Sequence, residues 1–210
     1  RPHIYQLMVR HFGNTNETPK VNGSLAENGC GKFADINDAA LISLRKLGIT
    51  HLWLTGILEQ ASSTAYPERP ADSPLLLKGK AGSPYAIRDY FDVCPDYATD
   101  PTKRLDEFKA LLKRIKKRGL KTIIDFVPNH VARSYSSDIR PELSFGRNDD
   151  TGKFFDPNNN FYYLGDLHPG GGAPLKLPSS HGPVPVPYEP ESGFGRVTGN
   201  NAITWTPSIH

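Results

Sequence analysis

Sulfur is scarce in this 210-residue sequence, which has two cysteines, Cys30 and Cys94, and one methionine, Met8. Two cysteines so far apart cannot make the paired spacing of a zinc site or a redox motif. They are read as two free thiols, with a disulfide as the alternative. The only methionine lies inside an apolar run while residue 1 is arginine, so the natural start, with any signal peptide, is expected upstream of Arg1. From Arg1 to His11 charged and aromatic residues interrupt the chain, so that stretch is not a signal peptide. Long hydrophobic runs are also missing. With no stretch of 18 or more apolar residues, no membrane span and no membrane partner are expected. Nor does charge of one sign accumulate: 25 Lys and Arg face 22 Asp and Glu, a net +3 too small to imply a nucleic-acid partner. The G-x-S-x-G elbow, the P-loop and H-E-x-x-H are absent as well, which leaves no sign of serine-hydrolase, nucleotide or zinc-protease chemistry. Gly170-Gly171-Gly172 lacks the strand-to-helix setting of a phosphate cradle and reads as a loop tip. The cellular compartment stays open.

What is present is an alternation of strand-like and helix-like stretches over the first 130 residues. Ile4 to Val9 reads as a buried strand. From Asp35 to Leu47 apolar residues fall at Ile36, Ala40, Leu44 and Leu47, which is helical spacing, with Asp35 as N-cap and Gly48 as the stop. Ile49 to Ile57 reads as a second strand. A second helix is predicted from Pro101 to Arg118, capped by Asp100, with Leu105, Phe108, Leu112 and Ile115 as its core stripe. Its basic end, Lys113 to Arg118, suits the helix dipole and reads as a solvated end. Leu120 to Val127 is a third strand. Strands this apolar pair in parallel beneath a helical layer. The long excursion from Leu58 to Asp100 is expected to have a job, because most connections are short.

After His130 the composition changes. Residues 131–210 hold 10 Gly and 10 Pro in 80 positions, against 9 and 9 in the first 130. Short aromatic pieces such as Phe161 to Tyr163 and Ile203 to Trp205 could pair as small strands, and the aromatic content argues against disorder. This part is read as a loop-rich second unit.

Three places could carry chemistry. Asp125 falls in an otherwise apolar strand, where burial is costly without partners. At the C-terminal end of a parallel strand it would face the crevice where α/β folds bind ligands. Pro128 then ends the ladder and presents Asn129 and His130. The alternative is a buried carboxylate satisfied by an arginine and backbone amides, with His130 merely packing. A Gly82-Ser83-Pro84 turn presents Tyr85, whose ring could stack on a sugar and whose hydroxyl could hydrogen-bond it. The alternative there is an aromatic cluster closing the long loop. Arg10, His11 and Phe12, at the end of the first strand, could line the same mouth, but packing is the favoured reading.

Taken together these motifs resemble the α-amylase family, glycoside hydrolase family 13. IYQLMVRHF is similar to its opening barrel strand. GKFADINDAALISLRKLGITHLWLTGI looks like its first helix and second strand. SPYAIRDYFDV resembles its tyrosine motif, although Ala86 stands where many members have Asp or Ser. GLKTIIDFVPNH matches its first conserved region. The resemblance implies an α/β fold: the first three strands of a (β/α)8 TIM barrel over residues 1–130. An irregular, loop-rich inserted domain follows strand 3 over residues 131–210. It further implies that Tyr85 stacks on the sugar, that His130 hydrogen-bonds the sugar's primary hydroxyl, and that Asp125 supports the catalytic centre. Asn129 matches a position that, in many members, ligates a structural calcium; Asp149, Asp150 or Asp156 could complete such a site, since oxygen ligands suit a hard cation.

The implied activity is that of a retaining glycoside hydrolase or transglycosylase on α-glucosidic bonds, with starch-like or maltooligosaccharide partners. Retaining enzymes need two carboxyl groups about 5–5.5 Å apart. The family carries them on later strands, and no G-x-R-x-D stretch occurs in this sequence. A complete barrel takes about 250 residues, so the chain is expected to hold three strands with an unpaired edge. It is expected to fold poorly alone and to hydrolyse nothing. The second reading is a non-catalytic carbohydrate-binding or interaction module of the same fold.

Overall fold

The computed structural model describes residues 1–161 apart from 75, 76, 78, 133, 151, 152, 154 and 155. Three strands, β1 (Ile4–Met8), β2 (His51–Thr55) and β5 (Lys121–Ile124), form a parallel sheet with β2 in the centre. The register sets Gln6 beside Trp53 and Trp53 beside Ile123, and Leu7 beside Leu54. One layer of the sheet is therefore Leu7, Leu52 and Leu54, all buried. Against it pack Leu41 and Leu44 of α2 (Asp38–Lys46) and Leu111 and Ile115 of α3 (Arg104–Lys117). Each such side chain taken from water stabilises the fold by about 1.5–3 kcal/mol. A one-turn helix, α1 (Leu25–Asn28), lies in the first connection and is closed by a Ser24–Glu27 capping box. Among the described residues no helix is long and apolar enough to cross a membrane. The α/β architecture with parallel strands under helices is as expected.

The helix ends differ from expectation in instructive ways. Asn37, not Asp35, caps α2, its side chain accepting from the Ala40 amide at 3.1 Å. Asp35 instead ends a 3-10 turn and accepts from the Lys32 amide at 2.7 Å. Gly48, at φ +83°, is the stop that was foreseen. In the second helix Asp100 does accept from the Thr102 amide, but Pro101–Lys103 is a 3-10 turn and α3 starts at Arg104. Leu111, one helical turn before Ile115, is fully buried where Leu112 was expected. The basic end of α3 is only partly solvated. Arg114 donates to the carbonyls of Phe33 (2.7 Å) and Ile36 (3.2 Å), and Arg118 grips Asp38 with two contacts of 2.8 and 2.6 Å. The two helices are thus tied end to end by arginine.

The excursion between β2 and α3 is ordered by a two-stranded antiparallel ribbon, β3 (Leu58–Gln60) with β4 (Ile87–Val93). Its register is broken by irregularities, and β4 (IRDYFDV) mixes charged and apolar residues. That pattern hides a strand from sequence reading. The segment after His130 is laid along β4: the amides of Ala132 and Ser136 donate to the carbonyls of Ile87 (2.7 Å) and Arg88 (3.0 Å). The inserted unit expected over residues 131–210 lies mostly outside the described residues.

β5 is paired by β2 along one edge, and its last residue, Ile124, is 46% exposed, whereas Leu54 of β2 is fully buried. Leu54→Ala should therefore lower the stability of the chain by about 2–5 kcal/mol in urea denaturation. Ile124→Lys should cost less than about 0.5 kcal/mol and reduce light scattering from aggregates, because a charge blunts an open strand edge.

Candidate functional site

Asp125 follows directly on β5, one residue past the strand's end, and is half-buried. Its carboxylate accepts from the indole Nε1–H of Trp53 and from the Gly56 amide at 3.1 Å. No arginine is needed to hold it; β2 and the turn after it supply both donors. Gly56 has a second task. It sits at φ +63°, and a Cβ there would come within 2.4 Å of the Pro84 side chain. A bare Cα therefore lets the Gly82-Ser83-Pro84 turn close onto the end of β2. Gly82 is required for the same reason, since a Cβ would lie 1.9 Å from the Ala61 carbonyl oxygen. Two glycines thus carry Tyr85 to the mouth of the sheet, where the residue is 43% exposed.

Tyr85 and Asp125 line one open cavity of about 450 Å³, together with Ile4, Trp53, Ile123 and Val127. His130 does not line this cavity but is bonded to the backbone of Tyr85, which does. Its Nε2 lies 2.9 Å from the Tyr85 carbonyl oxygen, which can only accept, so this nitrogen carries a proton. Its Nδ1 lies 2.9 Å from the Asn129 side-chain amide. Both His130 and Asn129 are exposed. The arrangement offers a flat ring and a carboxylate around an apolar floor, with an imidazole bonded to the backbone of that ring's residue, which suits a polyhydroxylated ligand with an apolar face. Arg10 and Phe12 take the packing role: Arg10 donates to Asp96 at 2.6 Å beneath the Tyr97 ring, and Phe12 packs on the core. Both cysteines are free thiols, raised by burial and so poor nucleophiles at neutral pH.

A family profile described as "Alpha amylase, catalytic domain" matches residues 6–160. The chain belongs to the α-amylase family. It is 29% identical over 182 residues to a cyclomaltodextrin glucanotransferase of Geobacillus stearothermophilus, covering 77% of this chain and 23% of that one. A trehalose-6-phosphate hydrolase of Bacillus subtilis (strain 168) is 26% identical over 190 residues, covering 90% and 24%. Among solved structures, an α-amylase from Lactobacillus plantarum is 31% identical, covering 68% of this chain and 26% of that one with a TM-score of 0.45. The chain thus spans about a quarter of the length of these relatives.

Within this α-amylase-family chain the sequence reading missed the groups that hold the excursion in place. Arg69 Nε lies 2.9 Å from Glu59, and its Nη2 donates to the Gln60 carbonyl at 2.7 Å. Arg69 and Arg88 each lie 3.4 Å from Asp72. Arg104 contacts Asp92 at 2.6 Å and Glu68 at 2.5 Å. Asp89 accepts from the amides of Phe91 (2.7 Å) and Asp138 (2.9 Å). Apart from Glu68 and Asp138 these charges are buried, and none advertises itself in a sequence that is ordinary in its charge content. One oxygen each of Glu59, Asp89 and Asp92 lies within 4.8 Å of the others, a grouping that could hold a metal ion. Among the described residues that grouping does not include Asp149, Asp150 or Asp156.

Burial pushes the Glu59 carboxyl up to about 8 from its ordinary 4.5, against the opposing pull of Arg69. Burial likewise raises Asp89 and Asp138. A carboxyl raised in the folded state binds its proton there more tightly than in the unfolded chain. The stabilisation is complete below about pH 4.5 and is lost as pH rises through 8. The urea midpoint of the chain is therefore expected to fall between pH 5 and pH 8, and to fall less steeply in Glu59→Gln. Equal slopes for the two proteins would show that Glu59 ionises normally.

Proposed function

We propose that this chain forms the sugar-holding part of a retaining glycoside hydrolase or transglycosylase acting on α-glucosidic bonds. The observation that carries the reading is that Tyr85 and Asp125 line one cavity at the C-terminal end of a parallel sheet, with His130 bonded to the Tyr85 carbonyl. In this reading the Tyr85 ring stacks on the apolar face of a glucose unit, Asp125 hydrogen-bonds its hydroxyls, and His130 does so through Nδ1, which exchanges its contact to Asn129 for a sugar hydroxyl. Membership of the α-amylase family supports it, as do relatives named for cyclomaltodextrin and trehalose-6-phosphate. The three parallel strands are then the first of a (β/α)8 barrel over residues 1–130, and residues 131–210 are the unit inserted after the third.

The nucleophile and acid/base that a retaining mechanism requires about 5–5.5 Å apart are not assigned to any of these 210 residues. In this reading the chain positions the sugar and does not itself cleave the bond. The second reading is a non-catalytic carbohydrate-binding or interaction module of the same fold. The finer proposal of a structural calcium at Asn129 finds less support. Asp149 already accepts from the amides of Asn160 and Phe161, and Lys153 lies 2.8 Å from Asp156 and 3.4 Å from Asp150. No step in the sugar binding described here runs through a metal.

The chain is expected to bind maltoheptaose in calorimetric titration and to release no reducing sugar from it. Tyr85→Ala and His130→Ala should each weaken binding by about tenfold, the loss of one stacking contact or one hydrogen bond. Binding that survives both substitutions unchanged would remove the proposed site. Sugar release by the 210-residue chain would instead show that it holds catalytic carboxylates.

A further inference from the structure

His130 is exposed, and its ring is held only by contacts to Tyr85 and Asn129 among the described residues. A side chain of that kind is placed by its backbone, so what fixes the backbone from Val127 to His130 matters. The answer lies on β4. The Tyr90 hydroxyl faces two carbonyl oxygens of that loop, donating to Val127 and lying 3.1 Å from that of His130. A hydroxyl has a single proton, which these two acceptors share. Burial raises the phenol, so the proton is retained at neutral pH.

The Tyr90 ring does separate work. It meets Phe126 at 5.6 Å, Phe145 at 5.3 Å and Tyr135 at 5.9 Å between centroids. The neighbouring residue, Asp89, accepts from the Asp138 amide at 2.9 Å. Two consecutive residues of β4 thus hold the two ends of the segment from Val127 to Asp138. The end that carries Asn129 and His130 is held through a hydroxyl, whose removal leaves the aromatic packing in place.

We infer that Tyr90 is a positioning residue for His130: its hydroxyl clamps the 127–130 loop in the geometry that presents the imidazole beside Tyr85. The inference rests on the sugar-binding reading above for its consequence, though not for the clamp itself. Tyr90 touches no sugar in this account. It acts on binding only through the loop.

Tyr90→Phe tests this, because it deletes the hydroxyl and keeps the ring. Amide order parameters from NMR relaxation should fall at Asn129 and His130 from about 0.85 to below about 0.6, with those of β5 unchanged. Maltoheptaose affinity should fall about three- to tenfold, the worth of one net hydrogen bond, while the thermal midpoint stays near that of the parent chain. Unchanged order parameters overturn the clamp whatever the sugar does. Looser order with unchanged affinity overturns the positioning role. A parent chain that binds no maltoheptaose removes the functional reading and leaves the order parameters to decide on the clamp. Should the variant not fold, the Tyr90 hydroxyl proton of the parent chain decides: slow exchange supports the clamp, and exchange as fast as that of a solvated phenol overturns it.

Discussion

In a parallel sheet every strand ends on the same side, and this constraint organises the chain. With β1, β2 and β5 in one register, Arg10, Gly56 and Asp125 emerge at one rim. Whatever chemistry that rim performs must be supplied by the segments that follow the strands. Gly56 is where they meet. Its amide holds the carboxylate of the next strand, and its missing side chain admits the turn that carries Tyr85. An L-residue at φ +63° would cost about 1–2 kcal/mol in backbone strain before any clash with Pro84.

The frame and the excursion are held by different physics. Under the sheet, leucine and isoleucine from two helices close an apolar core. Around β3 and β4 the buried groups are ionisable, and Arg69, Arg88 and Arg104 lie against Glu59, Asp72 and Asp92. Such a lattice adds little net stability over an apolar equivalent, because desolvation offsets the attraction. It does specify position, since a displaced guanidinium leaves its partner buried and unpaired. Asp96 extends the principle to the strand ends, where Arg10 (2.6 Å) and Tyr66 (2.5 Å) both bind its carboxylate.

This division explains what the amino-acid sequence could tell. Strands and helices of the frame were legible because their apolar periodicity is what packs them, and the errors were small: ends such as Asn37 for Asp35, and Leu111 for Leu112 in the core stripe of α3. Asp125, Tyr85 and His130 stood out as polar or aromatic residues at turn signals, and the structure does bring them to one rim. Trp53 was not legible as the donor to Asp125, because in a strand it reads only as apolar bulk. The ribbon was hidden because β4 buries Arg88, Asp89 and Asp92, which a pattern of hydrophobicity counts as exposed. Arg114 and Arg118 looked like a solvated helix end for the same reason: their partners are carbonyls and an aspartate some 80 residues away.

The same division sets the order in which the chain should loosen. A buried leucine of the frame contributes about 1.5–3 kcal/mol, whereas a single hydrogen bond holding a loop contributes about 0.5–1.5 kcal/mol net. The segment from Val127 to His130 is held by the Tyr90 hydroxyl and by contacts of His130 itself, so it belongs to the low-stability end of the molecule. Asp125 does not, because its partners Trp53 and Gly56 are fixed by β2. The rim therefore combines a rigid carboxylate with a more compliant imidazole, and Tyr90 sets how far that compliance goes.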